Sequence, residues 1–277
     1  MVLKSYSKIN LSLSVIGKLK SGLHEIQSHY CLINLNDKIE INKIKKSKDK
    51  IIFKGPFVKY IKPNNSITNL LKLLRKLKLI SSHYSVKVIK NIPVFSGLGG
   101  GTSNAAFILK FLLKNKVSEN ILKKIEKVIG SDLRLFFYRQ GFLENLKKIR
   151  VAKKKQNLIF LLARPNINCS TLKIYSKVQR YSKKTKFSFH KINTRKNFIN
   201  HLLTQKNELQ SIVEKKYPII KKLLTDISAE KGCYFSRMSG SGSVCYGLFD
   251  SESKAKKTLN KIKTKYPKFW FSIAKTV

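Results

Sequence analysis

A glycine-rich segment restricts the possible folds of this chain more than any other feature of its sequence. It spans residues 93–101 and contains four glycines. An alternating stretch at 84–89 predicts a strand before it, and an apolar run at 104–113 predicts a helix after it. Glycine lets the backbone adopt positive φ and approach a ligand closely, so successive N–H groups can point at an anion. The segment therefore predicts an anion-binding loop between a strand and a helix.

The residues after the glycines favour polyphosphate binding over a flexible turn without a ligand. The predicted helix directs the positive end of its dipole at the loop, and Thr102 and Ser103 add hydroxyl groups that suit phosphate or Mg²⁺. The loop is not a P-loop, because no lysine follows the glycines, and Thr102 stands where a dinucleotide fingerprint needs its third glycine. The His-Arg-Asp and Asp-Phe-Gly triplets of protein kinases are absent as well.

Strand-like and helix-like patterns are mixed along the whole chain, which predicts an α+β fold. The length of 277 residues fits one large domain or two small ones. A basic, weakly patterned segment at 147–155 precedes a new strand pattern. We therefore expect a domain boundary near residue 155, with domains at 1–155 and 156–277.

Local patterns predict the individual elements of both domains. Asn65 and Ser118 each precede an amphipathic helix pattern and are expected to cap it. Asn36 and Asp37 predict a turn within an extended stretch at 26–41. The other predicted elements are a strand hairpin at 5–16, helices at 67–77, 171–178, 206–214, 217–227 and 251–262, strands at 158–162 and 270–273, a strand-loop at 235–249, and a lysine-rich loop at 182–196.

The charge of the chain is extreme. The 58 Lys and Arg residues against 14 Asp and Glu residues give a formal net charge of +44, which on its own suggests a nucleic-acid partner. The lysines, however, are spread from Lys4 to Lys275, together with many Ile and Asn residues. This distribution is typical of a codon bias at permissive surface positions, so we expect no specific nucleic-acid partner.

The sequence contains no signal for a membrane or an oxidising compartment. No stretch approaches the roughly 18 unbroken apolar residues of a membrane helix, and the first residues lack the apolar region of a signal peptide. The cysteines Cys31, Cys169, Cys233 and Cys245 form no C-x-x-C pair, so we expect buried thiols rather than a zinc site. A cytoplasmic protein with no membrane partner is the expectation.

Three blocks in the chain resemble the motifs of the GHMP kinases, the small-metabolite kinases named for galactose, homoserine, mevalonate and phosphomevalonate. The blocks lie at 7–11, 93–106 and 237–243, in the order that the family has. The resemblance extends over nearly the whole chain. It implies an N-terminal lobe of ribosomal-protein-S5-like topology and a C-terminal ferredoxin-like lobe, with ATP and Mg²⁺ as cofactors.

Within this family, residues 8–11, 22–28 and 130–132 are most similar to the members that act on 4-diphosphocytidyl-2-C-methyl-D-erythritol. The resemblance implies ATP-dependent phosphorylation of the 2-hydroxyl of that substrate, in the methylerythritol phosphate route to isoprenoid precursors. It also makes Lys8 and Asp132 the catalytic pair. An aspartate can take the proton of the acceptor hydroxyl, and a lysine ammonium offsets charge on the carboxylate and on the transferred group.

The resemblance assigns binding residues at both ends of the reaction. The ATP loop would comprise Pro93, Val94, Phe95, Ser96, Gly97, Leu98, Gly99, Gly100, Gly101, Thr102 and Ser103. The cytidine pocket would comprise Asn10, His24, Tyr30 and Tyr175, where aromatic faces stack on the base and polar groups bind its edge. Tyr30 and Tyr175 could equally be core residues, and His24 a packed or surface histidine. No protein ligand is assigned to the metal.

Several positions depart from the pattern of the family. Leu23 stands where an aromatic residue is usual, Arg134 replaces a proline, and the glycine-acidic motif after Gly141 is missing. We favour a divergent working enzyme. The alternatives are an inactive homologue, a GHMP kinase for another small alcohol and a basic nucleic-acid-binding protein with an S5-like lobe. We expect a monomer or a weak homodimer.

Overall fold

The computed structural model describes residues 1–189, 192 and 194–277. Its strands are β1 (Val2–Asn10), β2 (Ser14–Lys18), β3 (His24–Ile44), β4 (Lys50–Lys54), β5 (His83–Ile89), β6 (Gln140–Asn145), β7 (Lys148–Val151), β8 (Ile159–Arg164), β9 (Cys233–Met238), β10 (Cys245–Phe249) and β11 (Trp270–Lys275). Its helices are α1 (Ser66–Lys76), α2 (Gly100–Leu112), α3 (Glu119–Ile129), α4 (Thr171–Tyr175), α5 (Arg195–Leu203), α6 (Glu208–Lys216), α7 (Pro218–Ser228) and α8 (Glu252–Lys265), with a 3-10 helix at Ser131–Phe137. None of the helices in these residues is long and apolar enough to cross a membrane.

The chain divides into two compact units that are discontinuous in sequence. The first unit comprises residues 1–8, 35–94 and 99–138. In it, β5 pairs antiparallel with residues 38–44 of β3 and parallel with β4. Helices α1, α2 and α3 pack on one another, and α1 and α3 begin at the caps expected for Asn65 and Ser118. The first unit therefore combines a sheet with packed helices.

A buried ion pair in the first unit, between Asp37 and Lys90, bears on one prediction. The Asp37 carboxylate is fully buried and accepts hydrogen bonds from the Lys90 ammonium and from the backbone N–H groups of Asn91 (2.8 Å) and Ile92 (2.9 Å). These partners keep Asp37 inside a continuous strand, because β3 extends from His24 to Ile44 without a break. The predicted turn at Asn36 and Asp37 was wrong.

The second unit comprises residues 9–34, 95–98 and 139–277. Its four-stranded antiparallel sheet has the order β11-β8-β10-β9, and α7 and α8 pack against these strands. Strands and helices thus follow the βαββαβ order of a ferredoxin-like fold, as the resemblance implied. The N-terminal half of β3 also belongs to this unit, where it pairs with β2 and β6, and β6 pairs with β7. The fold class is α+β.

The lysine-rich background hid several elements from sequence analysis. Strand β7 lies within the segment read as weakly patterned, and α5 begins at Arg195, at the end of the predicted lysine-rich loop. Lysine fits exposed positions of strands, helices and loops alike, so a lysine-rich stretch does not indicate which secondary structure it forms. Residues 190, 191 and 193 of that loop lie outside the described part of the chain. The division at residue 155 stays a prediction, and the two compact units follow a different outline.

Two histidines share a buried aromatic cluster in the second unit. The ring of His29 on β3 packs between Phe142 and Phe187, with centroid distances of 4.6 and 4.3 Å. The Nε2 atoms of His29 and His201 lie 2.9 Å apart, so one neutral ring donates a hydrogen bond and the other accepts it. Burial lowers the pKa of both imidazoles, and their mutual proximity lowers that of His29 further. Both rings are therefore neutral in the folded protein at neutral pH.

The neutral histidine pair makes folding stability depend on pH. The unfolded chain binds protons on His29 and His201 near pH 6.5, whereas the folded chain resists them, so stability is complete above this pH and is lost as pH falls. We expect the free energy of unfolding to fall by about 1–2 kcal/mol between pH 7.5 and about pH 5.5 in chemical denaturation. The variant His29→Leu/His201→Leu should have the flatter profile. Equal slopes for the two proteins would contradict this assignment.

Candidate active site

Lys8 and Asp132 form an ion pair in the first unit. Strand β1 carries Lys8, and Asp132 lies in the first turn of the 3-10 helix that follows Gly130. The Lys8 Nζ atom is 3.3 Å from Asp132 Oδ2; the lysine side chain is 4% exposed and the aspartate side chain 36%. A cation held in the interior thus supports a carboxylate that solvent, and therefore a ligand, can reach. The structure brings together the two residues that the resemblance selected.

The glycine-rich loop meets this ion pair at Gly99. Gly99 has φ +70°, and a Cβ atom there would lie 2.9 Å from Cζ of Phe136 and 3.3 Å from Cε of Lys8. A larger residue would have to displace the Phe136 ring and crowd the lysine, and it would be strained at this positive φ, so glycine suits this approach. Helix α2 begins at the next residue, and no acidic residue occupies its first turn. The first N–H groups and the dipole of this helix therefore suit an anion beside Lys8 and Asp132.

The structure places the hydroxyl of Ser103 differently from the expectation. Because α2 begins at Gly100 rather than near Asn104, Ser103 falls on its buried face. Its hydroxyl donates to the Tyr6 carbonyl oxygen (2.5 Å) and lies 2.7 Å from the Ser5 Oγ. This hydroxyl holds the start of the helix in place instead of facing a phosphate. Thr102 is only half-buried.

Residues 95–98 of the loop belong to the second unit and rest on the segment 237–243. A Cβ atom at Gly97, where φ is +77°, would clash with the Ser239 carbonyl oxygen. The Ser239 hydroxyl donates to the Gly97 carbonyl oxygen (3.2 Å), and the Val244 N–H donates to that of Ser96 (3.1 Å). The block at 237–243 and the residue after it thus hold residues 96 and 97 of the loop in place.

The same block contributes a structural arginine. Arg237 is buried, and its guanidinium donates to the carbonyl oxygens of Leu11, Leu202 (3.1 Å) and Gln205 (2.6 Å). Five N–H donors in a rigid plane suit this convergence of carbonyl groups. Part of the family motif is therefore explained by packing within the second unit.

Two adjoining cavities in the first unit lead to the glycine loop. The larger has a volume of about 600 Å³ and the smaller about 80 Å³. Both are lined by Phe53, Ile61 and Asn65, and the smaller one reaches Gly101 and Lys90. Asn65 therefore has two roles, because its side chain also accepts hydrogen bonds from the first N–H groups of α1. A cavity of this size accommodates a small organic ligand.

The residues predicted for the cytidine pocket all lie in the second unit, in two different environments. The rings of His24 and Tyr175 are partly exposed and lie 5.1 Å apart between centroids. Burial, followed by the charge of Lys18, lowers the pKa of His24, so its ring is neutral at neutral pH. Asn10 is buried and donates through Nδ2 to the Ser28 hydroxyl (2.8 Å). Tyr30 is fully buried, with its ring close to Gly141.

Sequence analysis missed Tyr181, whose ring centroid lies 6.3 Å from that of His24. Tyr181 precedes the lysine-rich segment that was read as a loop. An aromatic residue inside a basic, polar stretch was the signal that could have singled it out, since such a residue often lies in a binding surface.

The structure explains the arginine that replaces a family proline. Arg134 is buried in the 3-10 helix that carries Asp132, and its guanidinium donates to both carboxylate oxygens of Glu119 and of Glu126 on α3, at 2.9–3.1 Å. Hydrogen bonding to the arginine lowers the pKa of Glu119, whereas burial raises that of Glu126. The Arg134 contacts tie the 3-10 helix to α3 and so help to position Asp132.

The described part of the chain contains no group of three or more His, Cys, Asp or Glu residues that could hold a metal. Mg²⁺ usually keeps several waters and binds through one or two carboxylates together with the phosphates of a substrate. In the first unit, the accessible carboxylate of Asp132 and the half-buried hydroxyl of Thr102 are oxygen donors of this kind. These residues fit a metal that arrives with a polyphosphate.

Comparison with known proteins finds relatives that match almost the whole chain. Residues 65–134 match the family model of the GHMP kinases N terminal domain, and residues 194–268 match that of the GHMP kinases C terminal. A 4-diphosphocytidyl-2-C-methyl-D-erythritol kinase of Pelagibacter ubique (strain HTCC1062) is 38% identical, over 99% of this chain and 98% of the relative. A protein of the same name from Clostridium botulinum (strain Okra / Type B1) is 33% identical, over 96% and 97%.

Solved structures show the same fold. A crystal structure of 4-(cytidine 5'-diphospho)-2C-methyl-D-erythritol kinase has a TM-score of 0.74 at 20% identity and covers 99% of both chains. Homoserine kinase from Cytophaga hutchinsonii has a TM-score of 0.65 at 15% identity, over 99% of this chain and 95% of the other. Full-length identity above 30% to named relatives goes beyond a shared fold, and the chain belongs to the 4-diphosphocytidyl-2-C-methyl-D-erythritol kinase family of GHMP kinases.

Proposed function

We propose that this chain transfers the γ-phosphoryl group of ATP to the 2-hydroxyl of 4-diphosphocytidyl-2-C-methyl-D-erythritol, a step of the methylerythritol phosphate route to isoprenoid precursors. Its relatives of this name match almost the whole chain. The observation that carries the proposal is the Lys8–Asp132 ion pair next to the loop that begins α2. In the proposal, Asp132 supplies the proton acceptor and the start of α2 supplies the phosphate site, and both lie in the first unit.

Asp132 takes the proton of the acceptor hydroxyl during phosphoryl transfer. Its carboxylate is accessible, and the 3-10 helix that carries it is held by Arg134. The Lys8 ammonium, 3.3 Å from this carboxylate, offsets negative charge on the carboxylate and on the transferred group. Because Lys8 is packed against Gly99, the cation keeps its position without solvent reorganisation.

ATP binds through the loop at 93–103 and the adjoining cavities. The N–H groups at the start of α2 hold the phosphates, and the cavity of about 600 Å³ takes the nucleoside. Asp132 and the Thr102 hydroxyl would hold Mg²⁺, which would neutralise charge on the ATP phosphates. Gly97 and Gly99 shape the loop, and the Ser103 side chain anchors it.

The cytidine end of the substrate binds in the second unit. Tyr175 offers an aromatic face for the base, and the neutral imidazole of His24 can both donate and accept a hydrogen bond at its edge. Asn10 and Tyr30 support this pocket from the interior, through Ser28 and through packing. The domain division at residue 155, the cytoplasmic location and the monomeric or weakly dimeric state remain predictions.

A coupled ADP-release assay tests the proposed function. Purified protein with Mg²⁺ and ATP should turn over 4-diphosphocytidyl-2-C-methyl-D-erythritol and leave homoserine, mevalonate and galactose unchanged. Turnover of one of the three other alcohols instead would refute the substrate and keep the kinase chemistry. Inactivity with all four, in protein whose circular dichroism shows a folded state, would refute the kinase function itself.

A further inference from the structure

A segment of irregular backbone in the second unit, residues 181–187, is fixed against β2 and β3. We call this segment the strap. The Ser182 N–H donates to the Val15 carbonyl oxygen (2.8 Å), and the Ser182 hydroxyl donates to the Glu208 carboxylate. The same carboxylate accepts a hydrogen bond from the Val15 N–H (2.7 Å). One end of the strap is therefore bound to β2 directly and through Glu208.

The middle of the strap is bound to a buried glutamine of β3. Gln27 accepts hydrogen bonds at Oε1 from the N–H (2.9 Å) and the hydroxyl (3.0 Å) of Thr185, and its Nε2 donates to the Thr185 carbonyl oxygen (2.9 Å). Phe187 then enters the cluster around His29. A loop held at three places loses little further entropy when a ligand binds.

These anchors hold Tyr181 next to the predicted base pocket. Its ring centroid lies 6.3 Å from that of His24, at an interplanar angle of 54°. The ring of Tyr175, on α4, lies 5.1 Å from the His24 ring between centroids. Tyr181 is nevertheless 49% exposed. Half-exposed aromatic rings that are clustered and held in place provide flat apolar surface that water solvates poorly, which suits a planar ring ligand.

We infer that Tyr181 is a further substrate-binding residue, which stacks against the pyrimidine ring of the cytidine moiety together with Tyr175 and His24. The inference rests on the proposed function and names an additional residue of that site. A small heteroaromatic ring fits beside a neutral imidazole that can bind its polar edge. The nearby Lys18 ammonium, whose charge acts on His24, favours a ligand that carries negative phosphates on the same molecule.

Steady-state kinetics of Tyr181→Ala and Tyr181→Phe test this assignment. Loss of one stacked ring should raise the KM for the cytidine substrate by about tenfold, whereas Tyr181→Phe keeps the ring and should stay within about twofold of wild type. The KM for ATP should change by less than about twofold in both variants. Tyr234→Ala is the matched control, because Tyr234 is a half-exposed tyrosine of the same unit that contacts Arg195. It should behave like wild type.

A double-mutant cycle tests the role of the strap. Gln27→Ala removes the Thr185 contacts and should raise the KM for the cytidine substrate when Tyr181 is present, and have little effect in the Tyr181→Ala background. Additive effects would show that Gln27 acts independently of the tyrosine and would overturn the positioning role. Thermal unfolding of every variant checks that each protein is folded.

Calorimetric titration with cytidine 5'-diphosphate separates this inference from the proposed function. Binding about tenfold weaker in Tyr181→Ala than in wild type supports a cytidine site, even if wild type turns over none of the tested alcohols. Equal binding by the two proteins, or no binding by wild type, would overturn the inference. If wild type turns over the cytidine substrate and Tyr181→Ala has the same KM for it, the inference is overturned while the proposed function stands.

Discussion

Asp132→Asn should reduce kcat by about 10²–10⁴-fold, the usual contribution of a positioned general base. The amide keeps the volume of the side chain but cannot take the proton of the acceptor hydroxyl. The affinity for ATP measured without Mg²⁺ should stay nearly intact, because the loop, the start of α2 and the cavities are unchanged. Coupled kinetics with the cytidine substrate measure the first quantity, and calorimetric titration with ATP measures the second.

Asp250→Asn is the matched control for this experiment. Asp250 also pairs with a lysine, Lys254, and the aspartate side chain is similarly exposed, at 30% against 36% for Asp132. It lies outside the proposed site, so its neutralisation should leave kcat unchanged. A kcat for Asp132→Asn close to that of the control would exclude Asp132 as the base. A large loss of ATP affinity would instead assign it to nucleotide binding.

Lys90→Met should lower the free energy of unfolding by about 3 kcal/mol or more, since it removes one partner of a buried ion pair. The Asp37 carboxylate would then keep its hydrogen bonds from Asn91, Ile92 and Asn104 but lose the positive charge of Lys90 that balances it. Burial lowers the pKa of Lys90, and the charge of Asp37 and its hydrogen bond oppose that effect. Urea denaturation at neutral pH measures the loss.

An exposed ion pair between β5 and β3 supplies the control for this variant. Lys87 on β5 pairs with Glu40 at 3.1 Å, but both side chains are well exposed, at 38% and 41%. Lys87→Met should therefore cost less than about 1 kcal/mol. In the double variant Lys90→Met/Asp37→Leu, part of the stability should return, because no buried charge is left unbalanced. If Lys90→Met were no more destabilising than Lys87→Met, the buried pair would not stabilise the first unit.

Local signals in the sequence predicted the elements that local interactions create. The Asn65 and Ser118 caps and the apolar faces behind them placed α1 and α3 correctly. The failure at Asp37 has the opposite cause. Asn-Asp is a good local turn signal, but the carboxylate is satisfied by Lys90, 53 residues away, and no local pattern shows such a partner.

The candidate site was predictable only in part. The composition of the glycine loop and its position before a helix predicted an anion site. Lys8 and Asp132 are far apart in sequence, and only the resemblance to a family predicted that they form a pair. The direction of the Ser103 hydroxyl could not be predicted without the first residue of α2. Because α2 begins at Gly100, Ser103 lies within the helix, and its position there decides which way its side chain faces. Tyr181 depends on tertiary anchors such as Gln27, which pattern alone does not reveal.

The discontinuous outline of the two units has a consequence for synthesis on the ribosome. The first unit is complete once residue 138 has emerged, whereas residues 9–34 belong to a unit that is completed only by residues 139–277. The apolar residues Ile26, Tyr30 and Ile33, which become buried, therefore wait without their final partners such as β6. During that interval the nascent chain exposes the apolar edge of β3 that β6 later covers, and exposed strand edges of this kind are typical targets of chaperones. A fragment that ends at residue 138, before β6, would keep this strand edge exposed permanently.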